Sequence, residues 1–158
     1  MITIYTTPSC SSCRKAKKWL DDFGLKYREK NLFVTPLSGS EIKYILERTE
    51  NGTEDIISKR SKIIVEDGID VDSMSMSELI EFIQKNPSIL RRPIIIDDKR
   101  LQVGYNDEEI RAFIPRELRE LSIACESCMN FKDCTSVHNI LAAATSAGID
   151  ISPALKHK

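Results

Sequence analysis

The chain has 158 residues, 41% hydrophobic and 30% charged, with 23 Lys+Arg against 24 Asp+Glu for a net charge of −1. That length can bury roughly two thirds of its unfolded surface around one sizeable core, and the composition excludes disordered and collagen-like classes. Near-neutral charge leaves no bulk positive field, so any nucleic-acid role must be local or shared with a partner. No apolar run approaches the roughly 18 residues of a membrane span. Met1-Ile2-Thr3-Ile4-Tyr5 lacks the basic start and apolar middle of a signal peptide, so the expected location is cytoplasmic, with no membrane partner.

Ile2, Ile4 and Tyr5 form a β-prone run that Thr6-Thr7-Pro8-Ser9 interrupts. Ala16, Leu20 and Phe23 then recur at helical spacing beside Arg14, Lys15, Lys17 and Lys18, with Gly24 as a stop. Tyr27 to Phe33 reads as a second strand, which makes a βαβ beginning with the Pro8–Cys13 loop at the first strand's carboxyl end. From Thr35 to about Asn86 the pattern is helical. Ser38-Gly39-Ser40-Glu41 and Ser75-Met76-Ser77-Glu78 both have capping-box spacing, Asn51-Gly52 marks a sharp polar turn, and Ser58-Lys59-Arg60-Ser61-Lys62 is a compact basic cluster. Arg92-Pro93-Ile94-Ile95-Ile96 predicts a strand that turns at Asp97-Asp98 into Leu101-Gln102-Val103-Gly104. Asn106-Asp107-Glu108-Glu109 would cap a further helix carrying Ile110, Phe113 and Ile114 until Pro115.

Five cysteines, an odd number, stand at Cys10, Cys13, Cys125, Cys128 and Cys134. In a reducing compartment such cysteines are more often redox-active or metal-binding than structural bridges. Cys10-Ser11-Ser12-Cys13 has the spacing that lets two sulfurs approach across the first turn of a helix. The helix N-terminus, with Arg14 and Lys15, favours a Cys10 thiolate, and Cys13 is placed to attack an oxidised Cys10 and close a small disulfide loop. Two idle thiols or half of a zinc site are the competing interpretations. Near the other end, Cys125-x₂-Cys128-x₅-Cys134-x₃-His138 is chemically competent as a tetrahedral zinc set, with iron–sulfur ligation or unligated thiols as alternatives.

The block from Tyr5 to Ala16, the segment Thr49-Glu50-Asn51-Gly52-Thr53, and Leu90-Arg91-Arg92-Pro93-Ile94-Ile95-Ile96-Asp97 through Gly104-Tyr105-Asn106 resemble the Spx transcription regulators of the arsenate reductase (ArsC)-like family. The resemblance runs in order from Met1 to about Arg119. It implies an α/β, thioredoxin-like fold with an inserted helical domain: residues 1–34 and 88–119 for the redox domain, 35–87 for the insertion, and 120–158 as a Cys/His-containing C-terminal extension. It further implies a redox-sensitive global regulator, not an enzyme, that binds the carboxyl-terminal domain of the bacterial RNA polymerase α subunit. Promoter DNA would then be reached only through the polymerase complex, and turnover would involve the Clp protease and an adaptor, although this chain's end, Leu155-Lys156-His157-Lys158, departs from the short apolar tail of that family.

By motif, the resemblance assigns the switch to Cys10 and Cys13, with Arg92 beside it, and the polymerase contact to Gly52, with Arg60 and Lys62 as basic positions of the polymerase or promoter surface. A plain solvated face is the alternative for the last two. It also implies that Arg92–Pro93 is cis. No cofactor is needed for the switch, and zinc is a candidate only in the extension.

Arsenate reductases share the architecture, so a thiol-dependent oxyanion reductase is the alternative function. Cys10, Arg60 and Arg92 would supply part of an oxyanion site, since guanidinium groups hold tetrahedral anions well. The reductase pattern has a third arginine after the hairpin, where this chain has Leu101-Gln102-Val103-Gly104.

Overall fold

A computed structural model describes residues 1–116. β1 (Ile2–Thr6) is buried along almost its whole length, as befits a strand with neighbours on both sides. It pairs in parallel with β2 (Tyr27–Asn31), Ile2 opposite Tyr27 and Thr6 opposite Asn31. On its other edge it runs antiparallel to β3 (Ile94–Ile96), Ile4 opposite Ile95, and β4 (Leu101–Val103) closes on β3. The order is β2-β1-β3-β4. A parallel pair cannot be joined by a hairpin, and the crossover from β1 to β2 is α1 (Ser11–Asp22). This is the α/β arrangement expected from the sequence.

The described residues fall into two compact units: Met1–Lys15 with Tyr27–Asn106, and Ala16–Lys26 with residues from Asp107 onward. In the first, the stretch after β2 forms α2 (Gly39–Leu46), α3 (Thr53–Ile56), α4 (Lys62–Glu66) and α5 (Met76–Lys85). Both capping boxes form: Ser38 and Ser75 accept from the N–H of Glu41 and Glu78, whose carboxylates accept the serine N–H groups in return. Apolar side chains of the sheet (Tyr5, Ile94, Ile96) and of the helical stretch (Ile42, Ile45, Ile56, Leu79, Ile83) share one buried cluster. Alternation along β3 explains this, because Ile94 and Ile96 point to the same face.

Three expectations shift. β2 stops at Asn31 and not Phe33, because the chain turns: the N–H groups of Val34 and Thr35 both donate to the Asn31 carbonyl, leaving Phe33 and Val34 exposed. β3 begins at Ile94, since Pro93 has no N–H for the ladder; Arg92–Pro93 is cis as expected. The helix foreseen after Asn106 is a 3₁₀ segment, Glu109–Phe113, with no side-chain cap. Pro115 disfavours helical backbone at Ile114, which is extended (ψ 126°), so the turn cannot propagate.

In the second unit, Ala16 and Leu20 are buried and Trp19 stacks on Phe23 with ring centroids 4.4 Å apart. Gly24, at φ 64°, ends the helix where predicted, and the Leu25 N–H closes back onto the Leu20 carbonyl. Within the 3₁₀ segment Ile110 and Phe113 are buried. Among the described residues no helix is long and apolar enough to cross a membrane.

Candidate functional site

Cys10 immediately precedes α1 and behaves as its cap. Its carbonyl accepts the Arg14 N–H (3.2 Å), and its Sγ accepts the Cys13 N–H (3.1 Å), the bond a serine or aspartate oxygen would make at that position. A thiolate there gains the unpaired amides and positive end of the helix, which favours the ionised form. The two sulfurs lie at disulfide-bonding distance, with Cα atoms 5.2 Å apart. Cys10 is half-buried, whereas Cys13 is only 1% exposed. An oxidant from solvent therefore meets Cys10 first.

Cys10 opens onto a cleft of about 460 Å³. Among the described residues its charged lining is Arg60, Arg91 and Arg92, its polar lining includes Thr7, Ser9, Ser58, Ser61 and Ser88, and no carboxylate lines it. Arg92 is held by donation from Nη1 to Thr7 Oγ1 (3.2 Å), which ties β1's exit to β3's approach. Arg60 and Arg91 arrive together because residues 56–58 and 89–91 are stitched: Arg91 N–H donates to the Ile56 carbonyl, Ser58 N–H to the Ile89 carbonyl (2.8 Å each), and Ile57 bridges Leu90 antiparallel.

The stitched segment begins at the polar turn. Gly52 stands at φ 64°, ψ −127°, a conformation open to glycine and costly for other residues, and nothing lies within 4 Å of where its Cβ would be. Asp55, in the first turn of α3, reaches back and accepts from the backbone N–H groups of Glu50 and Asn51 (2.9 Å each) and from the Asn51 side chain (3.1 Å). These bonds, the Asn51 backbone first, hold its carboxyl below the usual aspartate range. The Asp55 carbonyl in turn accepts from Arg91 Nη1 (3.4 Å).

Of the residues singled out from sequence, the structure brings Cys10, Cys13, Arg60 and Arg92 to one place. Gly52 and Lys62 do not line the cleft: Gly52 precedes α3, and Lys62 is the exposed first residue of α4. Gln102, in the strand that stands where the reductase pattern has its third arginine, is buried and does not line the cleft. Cys125, Cys128, Cys134 and His138 lie outside the described residues. Arg91 and Asp55 were missed. Their signals were present, an arginine adjoining Arg92 and an acidic residue three after Gly52, but both patterns are too common to single out without the contacts.

The ArsC family model matches residues 5–113. A global transcriptional regulator Spx of Listeria innocua is 58% identical over 119 residues, covering 75% of this chain and 91% of that protein. A global transcriptional regulator Spx of Streptococcus mutans is 54% identical over 131 residues, covering 80% and 96%. Among solved structures, a possible arsenate reductase from S. mutans superposes with a TM-score of 0.59 at 25% identity, covering 67% of this chain and 92% of that one. An arsenate reductase from Vibrio cholerae superposes at 0.64 and 19% identity, covering 72% and 97%.

Proposed function

The chain belongs to the ArsC family, alongside the Spx transcription regulators within it, and from that premise we propose a regulator that binds the carboxyl-terminal domain of the RNA polymerase α subunit and is switched by a Cys10–Cys13 disulfide. The observation that carries the switch is the capped pair at the start of α1: a half-buried Cys10 whose sulfur accepts an amide, beside a buried Cys13 within bonding distance.

With a peroxide, the Cys10 thiolate attacks one oxygen, forming a sulfenic acid and releasing the other oxygen as water after protonation. The Cys13 thiol then attacks the sulfenyl sulfur, the S–S bond forms, and a second water leaves. Two electrons pass from the thiol pair to the peroxide. Oxidation removes the thiolate charge from a cleft lined by three guanidiniums, so Arg60, Arg91 and Arg92 lose an anionic neighbour. Arg91 is bonded to the Asp55 and Ile56 carbonyls, which gives that change a short route to the Gly52 turn.

Titration of the isolated α-subunit domain tests this reading. Wild type should bind, more tightly when oxidised; Cys10→Ala and Cys13→Ala should stay folded and lose the response to diamide. Gly52→Arg should abolish binding. Gly52→Ala bears the same positive-φ strain, roughly 1 kcal/mol or more, but projects only a methyl into open space and should bind within several-fold of wild type. Failure of the wild-type protein to bind in either redox state would remove the regulator reading.

One observation favours oxyanion reduction as a second reading: among the described residues three arginines and no carboxylate line the cleft with Cys10. Two others weigh against it. Cys13 is poised to capture any adduct on Cys10 before an external thiol, and the relatives described as regulators are 51–58% identical, against 25% and 19% for the two reductase structures above. Arsenate turnover with an external thiol, retained in Cys13→Ala, would reverse the order.

A further inference from the structure

Thr53, the residue after Gly52, also lines a second cavity of about 230 Å³ that neither the switch nor the cleft uses. Its apolar lining is Ile57, Ile64, Ile69 and Val71. Glu54, Lys59, Asp70 and Asp72, all exposed, complete it and therefore stand at its mouth. Lys59 Nζ lies 2.6 Å from Glu54, and its charge acts on Asp72 as well, so one cation faces three carboxylates. Asp70 and Asp72 have only neutral donors: the Asp72 N–H to Asp70 Oδ1 (3.2 Å), and the Thr53 hydroxyl to Asp72 Oδ1 (2.7 Å). Among the described residues no cation forms an ion pair with either.

An apolar wall beneath three carboxylates that share a single cation matches one kind of side chain, a long aliphatic stem ending in a second cation. A purely apolar group would leave the charges unanswered, and a compact cation would leave the isoleucines bare. The Thr53–Asp72 bond places the Asp72 carboxylate beside the Gly52 turn. We propose that this cavity receives a lysine or arginine side chain of the same polymerase α-subunit domain that meets Gly52, the stem against Ile57, Ile64, Ile69 and Val71 and the charge between Asp70 and Asp72. This rests on the regulator reading above and adds a second, electrostatic point of attachment that sets the register of the complex.

The test uses the full-length protein and the isolated α-subunit domain, titrated at several salt concentrations. Asp70→Asn combined with Asp72→Asn keeps the shape and the Thr53 acceptor; it should weaken binding at least tenfold and flatten the salt dependence. Ile64→Lys, which supplies a cation from within, should weaken binding comparably while circular dichroism stays native. In a double-mutant cycle, one lysine or arginine of the α domain should lose most of its alanine-substitution effect against the double Asn variant. Wild-type affinity and salt slope in the double Asn variant, with Gly52→Arg still abolishing binding, would overturn the cavity's role and leave the regulator reading standing. No wild-type binding at all would overturn both.

Discussion

Glu41 does three jobs with one carboxylate. It accepts Lys30 Nζ (2.6 and 2.8 Å), accepts the N–H and hydroxyl of Ser38 (2.8 Å each), and accepts the Tyr5 hydroxyl (3.2 Å). Burial alone would push its pKa up, but the bonds from Lys30 and Ser38 outweigh that and hold it at about 2. The same cluster pushes Tyr5 above the ordinary phenol range, through burial first and the Glu41 charge second. A depressed carboxyl contributes stability that is complete above its unfolded value of 4.5 and is lost as pH falls toward about 2. Glu41→Gln should therefore flatten the stability profile between those two pH values, and cost about 1 kcal/mol at neutral pH through the lost charge partner of Lys30, since the amide oxygen can still accept the Ser38 N–H. Urea unfolding of both proteins across that range measures it; parallel profiles would show that Glu41 is not the titrating group.

α3 is four residues long, far below the length at which a helix holds itself together, and it opens on a glycine with no side-chain cap. What maintains it is outside it: the Asp55 carboxylate binding the turn, the Arg91 bonds, and the Ile57–Leu90 bridge. α2 and α5 contrast with it, since each carries its own capping box and an apolar face. Asp55→Ala should accordingly leave α2 and α5 intact while the amides of Glu50 and Asn51 exchange at least tenfold faster. Hydrogen exchange followed residue by residue reads this directly. Unchanged protection would mean that the bridge alone orders the turn.

In the larger compact unit, α5 and the sheet draw on the same buried cluster, so neither can lose it separately. Ile83 on α5 is 1% exposed and shares that cluster with Ile94 and Ile96 of β3. Ile83→Ala should cost about 2–5 kcal/mol, and β3 amides should lose protection together with those of α5. Thermal melting with exchange on both elements checks this; loss confined to α5 would show two independent cores.

Much of this was legible along the chain, and the reason is range. The CxxC pair, both capping boxes, the Gly24 stop and the β1–α1 start are interactions three or four residues apart, which spacing and side-chain type determine by themselves. The over-long β2 and the capped helix after Asn106 went wrong where a turn and Pro115 competed with local pattern. What only the tertiary structure decided is that Arg91 joins Arg60 and Arg92, which the family resemblance had set with Cys10, and the tie from Asp55 to Arg91, 36 residues on, and from Thr7 to Arg92, 85 residues on. Those contacts exist because burying Ile57 beside Leu90 draws two distant segments together, and no local propensity encodes which surface arginines such packing delivers to one cleft.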